Sequence, residues 1–382
     1  MNHQGGPARA RNIGAAAASS DILVFIDADV CVHSDTLARI SRHFRENRRL
    51  DAVFGCYDDS PASPDFLSQY RNLMHRYVHR RGRREASTFW TGCGAVRRRV
   101  FEACGGFEES IRRPAMEDVE LGYRLRAADR RILLDHDLEV QHWKQWRLCS
   151  MVKTDLFYRG VPWVELILRY RFLPNDLNVG AGQRASLAAA ALLLAAVAWS
   201  IASAPIQASL ALAALLFAVL GPYWSEFLSR RQGAAIVGSF TVLLALSAWY
   251  HGMLTVAGTI AVSCLAWAVF RRRWRTLFGS LFLGVLTAAT AGAAVSAFTA
   301  AVPLPAARAA GALTGVIIAL NLGFYRFLAR RQGILFAAAA VPFHLLYHLN
   351  NAAALALGTL KYISGSARPQ SAVYAQRQSA GD

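Results

Sequence analysis

The chain has 382 residues, enough for two or three domains, and its 42 Lys and Arg against 25 Asp and Glu give a net charge of +17. All of those acids except Glu226 and Asp382 precede residue 185, and the second half is Ala, Leu, Val and Phe broken by short arginine clusters. This pattern reads as a soluble-type domain followed by a membrane domain, and arginines that flank apolar segments suit anionic lipid headgroups better than nucleic acid.

In chain order, Gly5-Gly6-Pro7 makes a turn and Ala8 to Ser19 an alanine-rich helix carrying Arg9, Arg11 and Asn12. Met1 to Gly6 are polar and glycine-rich, unlike a signal peptide. Ile22 to Ile26 is an apolar, mostly β-branched run that predicts a strand buried on both faces. It stops at Asp27-Ala28-Asp29. Ligands of open α/β sheets bind outside the carboxyl ends of the strands. A bend after Asp27 lets both carboxylates reach one hard cation, Mg²⁺ or Mn²⁺, that also takes phosphate oxygens. An isolated Asp-x-Asp is more often a solvated strand end and turn. Ser34 or Asp35 caps the next helix, with Leu37 and Ile40 on its apolar side, and Ala52 to Tyr57 is a second strand. Residues 65–85 form a basic helix whose Phe66, Tyr70, Met74 and Tyr77 share a face, as core packing does.

Phe89 to Val96 reads as a strand interrupted by Gly92 and Gly94, which mark either close approach of a ligand or a bulge. A short helix after Arg97 ends at Gly105-Gly106. Met116-Glu117-Asp118-Val119-Glu120-Leu121 opens another helix with Asp118 as a plausible N-cap. Ile132 to Leu134 is the last strand, leading to His142-Trp143-Lys144-Gln145-Trp146. None of the six cysteines forms a Cys-x-x-Cys pair, so they are expected to be reduced core residues facing a cytosol.

Together, Ala10-Arg11-Asn12-x-Gly14, Asp27-Ala28-Asp29, Gly92-Cys93-Gly94-Ala95-Val96-Arg97, Glu117-Asp118-Val119-Glu120-Leu121 and His142 to Trp146 resemble the motifs of a family-2 glycosyltransferase, in order and spacing, over roughly residues 5–180. The resemblance implies an α/β GT-A fold (Rossmann-like) and inverting transfer from a nucleotide-diphospho-sugar. It implies Asp27 and Asp29 as metal and diphosphate ligands and Asp118 as general base, with Glu117 beside it. Gly92, Cys93, Gly94 and Ala95 would line the sugar and acceptor pocket. His142, Gln145 and Trp146 would close over pyrophosphate and acceptor, and Arg11 belongs to the substrate-binding set. Members commonly carry Arg where this chain has Gln145, so the phosphate-facing charge is either absent or supplied by Lys144 or Arg147. Family members also begin with a strand, a helix and a second strand that hold base and ribose. The chain is therefore expected to lack the first strands of the fold, to expose a flank of Ile22–Ile26, and to bind nucleotide-sugar poorly without an upstream segment.

Met151 to Phe172 mixes aromatics, aliphatics and arginines around Pro162, and reads as one or two helices in the headgroup plane. About 20 apolar residues cross a bilayer, and the candidates are 185–203, 207–224, 234–250, 252–270, 278–300, 308–325 and 334–352, with 334–360 long for one helix and short for two. Arg230-Arg231, Arg271 to Arg273 and Arg330-Arg331 then fall on the side of the soluble domain. Phe227-Leu228-Ser229-Arg230-Arg231-Gln232-Gly233 recurs one hundred residues later with a single change, which indicates a duplicated helical unit. His344, Tyr347, His348 and Asn351 share a helical face, read as packing or headgroup contact. The domains expected are 1–148 catalytic, 149–184 interfacial, 185–361 membrane-spanning and 362–382 a tail. The expected function is transfer of a sugar to a lipid-linked or membrane-proximal acceptor at the inner membrane, with the catalytic domain cytosolic. The alternative is an inactive relative serving as a membrane interaction or lipid-handling module, and a processive polysaccharide synthase is a third reading.

Overall fold

The computed structural model describes residues 5–111, 116–203 and 304–365. The chain divides into two compact units, Met1–Ala191 with Thr314–Asp382, and Leu192–Leu313. The first holds a mixed five-stranded sheet: β1 (Ile22–Ile26), β2 (Val30–Val32), β3 (Ala52–Tyr57), β4 (Cys93–Arg97) and β5 (Ile132–His142), in the spatial order β1-β4-β3-β5-β2. β4 is antiparallel to both β1 and β3, and β3 is parallel to β5. It follows that β1, β3 and β5 run in one direction and end on the same side, which delivers Asp27, Tyr57 and His142 to one rim. This is where an open α/β sheet places its ligand.

The sequence expectation of a strand buried on both faces is corrected. β1 is an edge of the described sheet, and Val24 and Ile26, each 37% exposed, face outward while Leu23 and Phe25 enter the core. An edge strand packs one face and leaves the other to alternate outward, so apolar content alone overstated its burial. The third strand begins at Cys93 instead of Phe89, and the last runs unbroken from Ile132 to His142. Its register against β3 shifts between Phe54 and Cys56, a bulge that brings Leu138 against Gly55. A Cβ at Gly55 would lie 1.9 Å from the Leu138 carbonyl oxygen, so only glycine fits.

Helices α1 (Gly6–Ala17), α2 (Thr36–Glu46), α3 (Phe66–Arg81), α4 (Arg98–Ala103) and α5 (Glu117–Ala127) cover the sheet. On α2, Ile40 and Phe44 are buried, but Leu37 points to solvent. The Asp65 side chain caps α3 by accepting from the Ser68 N–H at 3.0 Å. Asp118 is not a cap: α5 starts at Glu117 with Met116 as N-cap, and Asp118 lies in the first turn, where the helix dipole favours acids. Behind the sheet, Asp135 is fully buried and accepts from Arg39 Nε at 2.6 Å and His43 Nε2 at 2.7 Å. Burial alone would raise this carboxyl, but the hydrogen bonds from Arg39 and His43 override it and hold it down at about 2. A carboxyl depressed on folding adds stability that is complete above its unfolded value near 4 and is lost as pH falls from there toward 2. Arg39→Met is expected to lower stability most above about pH 4, where the pairing contributes in full, by about 1.4 kcal/mol per unit of lost shift, and so to raise the pH of acid unfolding. Circular dichroism across pH 2–8 checks it, and an unchanged acid midpoint contradicts it.

After β5 the chain is helical from α6 (Leu148–Lys153) through a π-helical turn (Thr154–Gly160) into α7 (Val161–Tyr170). Pro162 sits in the first turn of α7 and does not break it, because a helix tolerates proline there. α8 (Ala181–Ser203) follows, then α9 (Leu304–Leu320), α10 (Leu322–Gln332) and α11 (Ile334–Ile363), so the stretch expected as one or two helices after residue 334 is a single helix of 30 residues. The aromatic stripe of α3 packs on this C-terminal pair: Phe66 meets Phe336 and Phe343, and Tyr77 meets Phe324 and Phe327. Among the described residues one helical stretch, Ala181–Trp199, is long and apolar enough to cross a membrane, or up to two if the pair Arg308–Leu320 and Leu322–Gln332, bent by 61°, forms one span. The candidates between 207 and 300, the first copy of the repeat, and part of the Ser110–Pro114 loop lie outside the described residues.

Candidate active site

Asp27 and Asp29 come together through a turn. The Val30 N–H donates to the Asp27 carbonyl at 3.1 Å, and the chain then pairs β2 with the end of β5, Val30 opposite His142. The turn leaves both acids in the wall of one cavity. The Trp143 N–H donates to the Asp29 carbonyl at 2.8 Å, which ties the turn to the tip of β5. The Asp29 carboxylate lies 3.8 Å from His142 Nε2 and 3.7 Å from Lys144 Nζ, and these neighbours, His142 first, hold it below the usual carboxylate range.

Opposite stands the first turn of α5. Glu117, 2% exposed, takes Arg11 Nη1 at 2.5 Å on Oε1 and the Met116 N–H at 3.0 Å on Oε2. The same guanidinium donates to Asp27 Oδ1 at 2.6 Å. Arg11 is fixed by its neighbour Asn12, whose amide exchanges hydrogen bonds with the Phe107 backbone at 2.8 and 2.9 Å. Asp118 accepts from the Thr91 N–H at 3.2 Å and the Thr91 hydroxyl at 3.4 Å on one oxygen, and from the Val119 N–H at 2.8 Å on the other. Burial, then the charges of Glu117 and Asp27, push the Asp118 carboxyl up to about 6. Glu117 faces the same cavity, with its oxygens already engaged.

The cavity between these groups measures about 300 Å³ and includes Arg11, Asp27, Asp29, Glu117, Asp118, His142 and Trp146 in its wall. Tyr57 stacks on His142 at 4.1 Å and meets Trp90 edge-on at 4.9 Å, forming an aromatic floor. Arg71 and Lys144 hold their charged groups 5.4 and 4.7 Å from the Trp146 ring, and the Trp146 backbone N–H donates to Ser68 Oγ at 2.7 Å. Two buried wall atoms, Trp146 Nε1 and His75 Nδ1, have no hydrogen-bond partner among the described residues. Such atoms belong to groups that a ligand or solvent completes. Burial holds His75 well below the usual imidazole range and His79 down at about 4, so both are neutral and bond without charge.

Other expected site residues lie apart. Gly92, Cys93, Gly94 and Ala95 are outside the cavity wall, with Cys93 and Ala95 fully buried in the sheet. A Cβ at Gly92 would fall 2.0 Å from the Trp90 ring and one at Gly94 2.3 Å from the Trp90 carbonyl, so these glycines admit Trp90, and Thr91 and Trp90 face the cavity instead. Gln145 is exposed and outside the wall. Sequence reasoning missed Arg71, His75 and His79, although their four-residue spacing puts them on one face of α3, away from the aromatic stripe. The π-helical turn and α7 add Thr154, Tyr158, Arg159 and Trp163. α7 is joined to α5 by Tyr170 Oη donating to Glu120 at 2.8 Å and Trp163 Nε1 to Tyr123 Oη at 3.3 Å.

Among the described residues no group of three or more His, Cys, Asp or Glu is gathered for a metal ion. Two carboxylates with phosphate and water as the remaining ligands is nonetheless how Mg²⁺ is ordinarily held at phosphate sites, and Asp27 and Asp29 fit that pattern. The α/β domain with its mixed sheet is GT-A-like, and the cavity gathers paired acids at one rim and the buried Asp118.

The model of the Glycosyl transferase family 2 matches residues 1–105, and the match ends before Glu117, Asp118, His142 and Trp146. Pre-mycofactocin glycosyltransferases from two strains of Mycobacterium tuberculosis are 27% identical to it over 165 residues, covering 41% of this chain and 34% of theirs. The chain thus spans about a third of the length of the curated relatives it matches. Among solved structures, a mannosyltransferase from Pyrobaculum calidifontis in complex with GDP-Man and Mn²⁺ aligns with a TM-score of 0.36 and 17% identity, over 89% of this chain and 67% of that one.

Proposed function

We propose that this protein is a membrane-bound inverting glycosyltransferase that moves a sugar from a nucleotide-diphospho-sugar to a hydroxyl or phosphate of a lipid-linked or membrane-proximal acceptor. The observation that carries the reading is the shared cavity, in which paired acids on the β1 rim face a buried aspartate held at about 6. A divalent cation, Mg²⁺ or Mn²⁺, bound by Asp27 and Asp29 would neutralise the departing diphosphate. Asp118 would take the proton of the acceptor, a role suited to a carboxyl that titrates near the working pH. Tyr57 and Trp90 offer flat surfaces for sugar rings. Lys144, beside Asp29 and Trp146, supplies the phosphate-facing charge that Gln145 lacks. The apolar helix Ala181–Trp199 and the mixed aromatic and basic surface of the π-helical turn and α7 support a place at the inner membrane, with the catalytic domain cytosolic.

The test is release of nucleoside diphosphate from UDP- and GDP-sugars by the full chain in lipid nanodiscs with Mn²⁺. Asp29→Asn is expected to weaken binding of the metal–donor complex about tenfold or more with Asp118 chemistry intact at saturating donor. Isothermal titration measures it. Unchanged donor and metal affinity in that variant removes Asp29 from the site. No turnover with any nucleotide-sugar, in preparations that retain Mn²⁺ binding, favours the inactive module.

A further inference from the structure

Arg11 does something that substrate binding does not require. Its guanidinium is bound at both ends by carboxylates from opposite sides of the cavity, Asp27 Oδ1 at 2.6 Å and Glu117 Oε1 at 2.5 Å, and its side chain is only 18% exposed. We propose that Arg11 is a built-in counter-ion that occupies Asp27 in the metal-free protein and gives up that carboxylate, keeping Glu117, when a divalent cation binds. This rests on the reading of Asp27 and Asp29 as the cation's ligands.

The asymmetry of the two contacts sets the direction. Glu117 is 2% exposed and bonded to its own helix start through the Met116 N–H, so its ion pair with Arg11 lies away from water, where separating the two charges costs most. Asp27 is 27% exposed, at a turn on the cavity rim, and can exchange one positive partner for another at little cost. A divalent ion on Asp27 and a guanidinium on the same carboxylate repel at short range, and the guanidinium is the partner with a second anchor to retreat to. The device keeps four acids, Asp27, Asp29, Glu117 and Asp118, in one cavity before any ligand arrives. It also makes metal binding work against an internal competitor, so the cation binds weakly alone and firmly once a diphosphate adds its own oxygens.

The experiment is titration of the full chain with Mn²⁺, without nucleotide, followed by the electron paramagnetic resonance signal of free Mn²⁺. Arg11→Met with Glu117→Gln removes one positive and one negative charge, so the net charge of the cavity is unchanged while the competitor is gone. This pair is expected to bind Mn²⁺ about tenfold tighter than the natural protein. Glu117→Gln alone, which leaves Arg11 with only Asp27 to hold, is expected to bind several-fold more weakly. A purely structural Arg11 predicts equal affinity for the double variant and the natural protein, and that result overturns the proposal. Should the double variant not fold, unchanged or tighter binding by Glu117→Gln overturns it equally. Asp27→Asn separates the two readings. Loss of Mn²⁺ binding there upholds the metal site whatever the Arg11 variants do, and retention overturns both.

Discussion

Asp118→Asn is expected to lower turnover by about 10²–10⁴ while leaving Mn²⁺ and donor binding close to that of the natural protein. The two carboxylates at the start of α5 are neighbours with different environments. Glu117 has both oxygens engaged, one by the Arg11 guanidinium, and a carboxylate held by a fixed cation is a poor proton acceptor. Among the described residues the hydrogen bonds to Asp118 come from Thr91 and the Val119 N–H, and burial, then the charges of Glu117 and Asp27, raise it to about 6 against the opposing charge of Arg11. With Asp118 as the base, half ionised near pH 6, kcat/KM should rise with pH and level off above about 7, being about tenfold lower at pH 5 than at pH 8. The Asn variant should lose that acid limb. Stability moves oppositely. A carboxyl raised on folding contributes stability that is present below its unfolded value and lost as pH rises through the folded one. Asp118 therefore destabilises the fold at neutral pH, and the Asn variant should melt no lower than the natural protein at pH 8. Wild-type turnover in Asp118→Asn with inactivity in Glu117→Gln would transfer the role of base to Glu117.

The parts of this site that were legible in the sequence are those that short segments encode. Asp27 and Asp29 end an apolar run, and Glu117 and Asp118 open a helix with a local pattern. The rest depends on pairings that no local pattern records. Arg11 and Glu117 are more than a hundred residues apart, and only the docking of α1 through Asn12 and Phe107 brings them together. Gly92 and Gly94 advertised close approach, and the approach exists, but Trp90 makes it from within the same loop. The burial of β1 was overstated because apolar content does not reveal which edge of a strand is paired. On α3 the aromatic stripe was readable as packing, and its partner surface on α10 and α11 is supplied from more than two hundred residues away. The opposite face, Arg71, His75 and His79, reads as ordinary basic surface until the sheet and the π-helical turn close over it.

That face supports the second large effect. Arg71 pairs with Asp155 of the π-helical turn through two hydrogen bonds, Nη1 to Oδ2 at 3.0 Å and Nη2 to Oδ1, with the side chains 5% and 3% exposed. Removing the arginine leaves a carboxylate buried without its partner, so Arg71→Met should cost about 3–5 kcal/mol. Arg71→Met with Asp155→Leu removes both charges and should recover most of that loss, since a buried pair does little better than well-packed apolar side chains. A thermal or denaturant double-variant cycle on the full chain measures the coupling. Additive losses would mean that the pair does not act as a unit. Activity then separates structure from chemistry, because Arg71 also lies in the cavity wall against Trp146. If its task is only to anchor the π-helical turn, which carries Thr154, Tyr158 and Arg159 into that wall, the stable double variant keeps donor and acceptor KM near natural values. A double variant that regains stability but shows a raised KM for one substrate places the guanidinium in contact with that substrate, and the substrate affected tells which end of the cavity it serves.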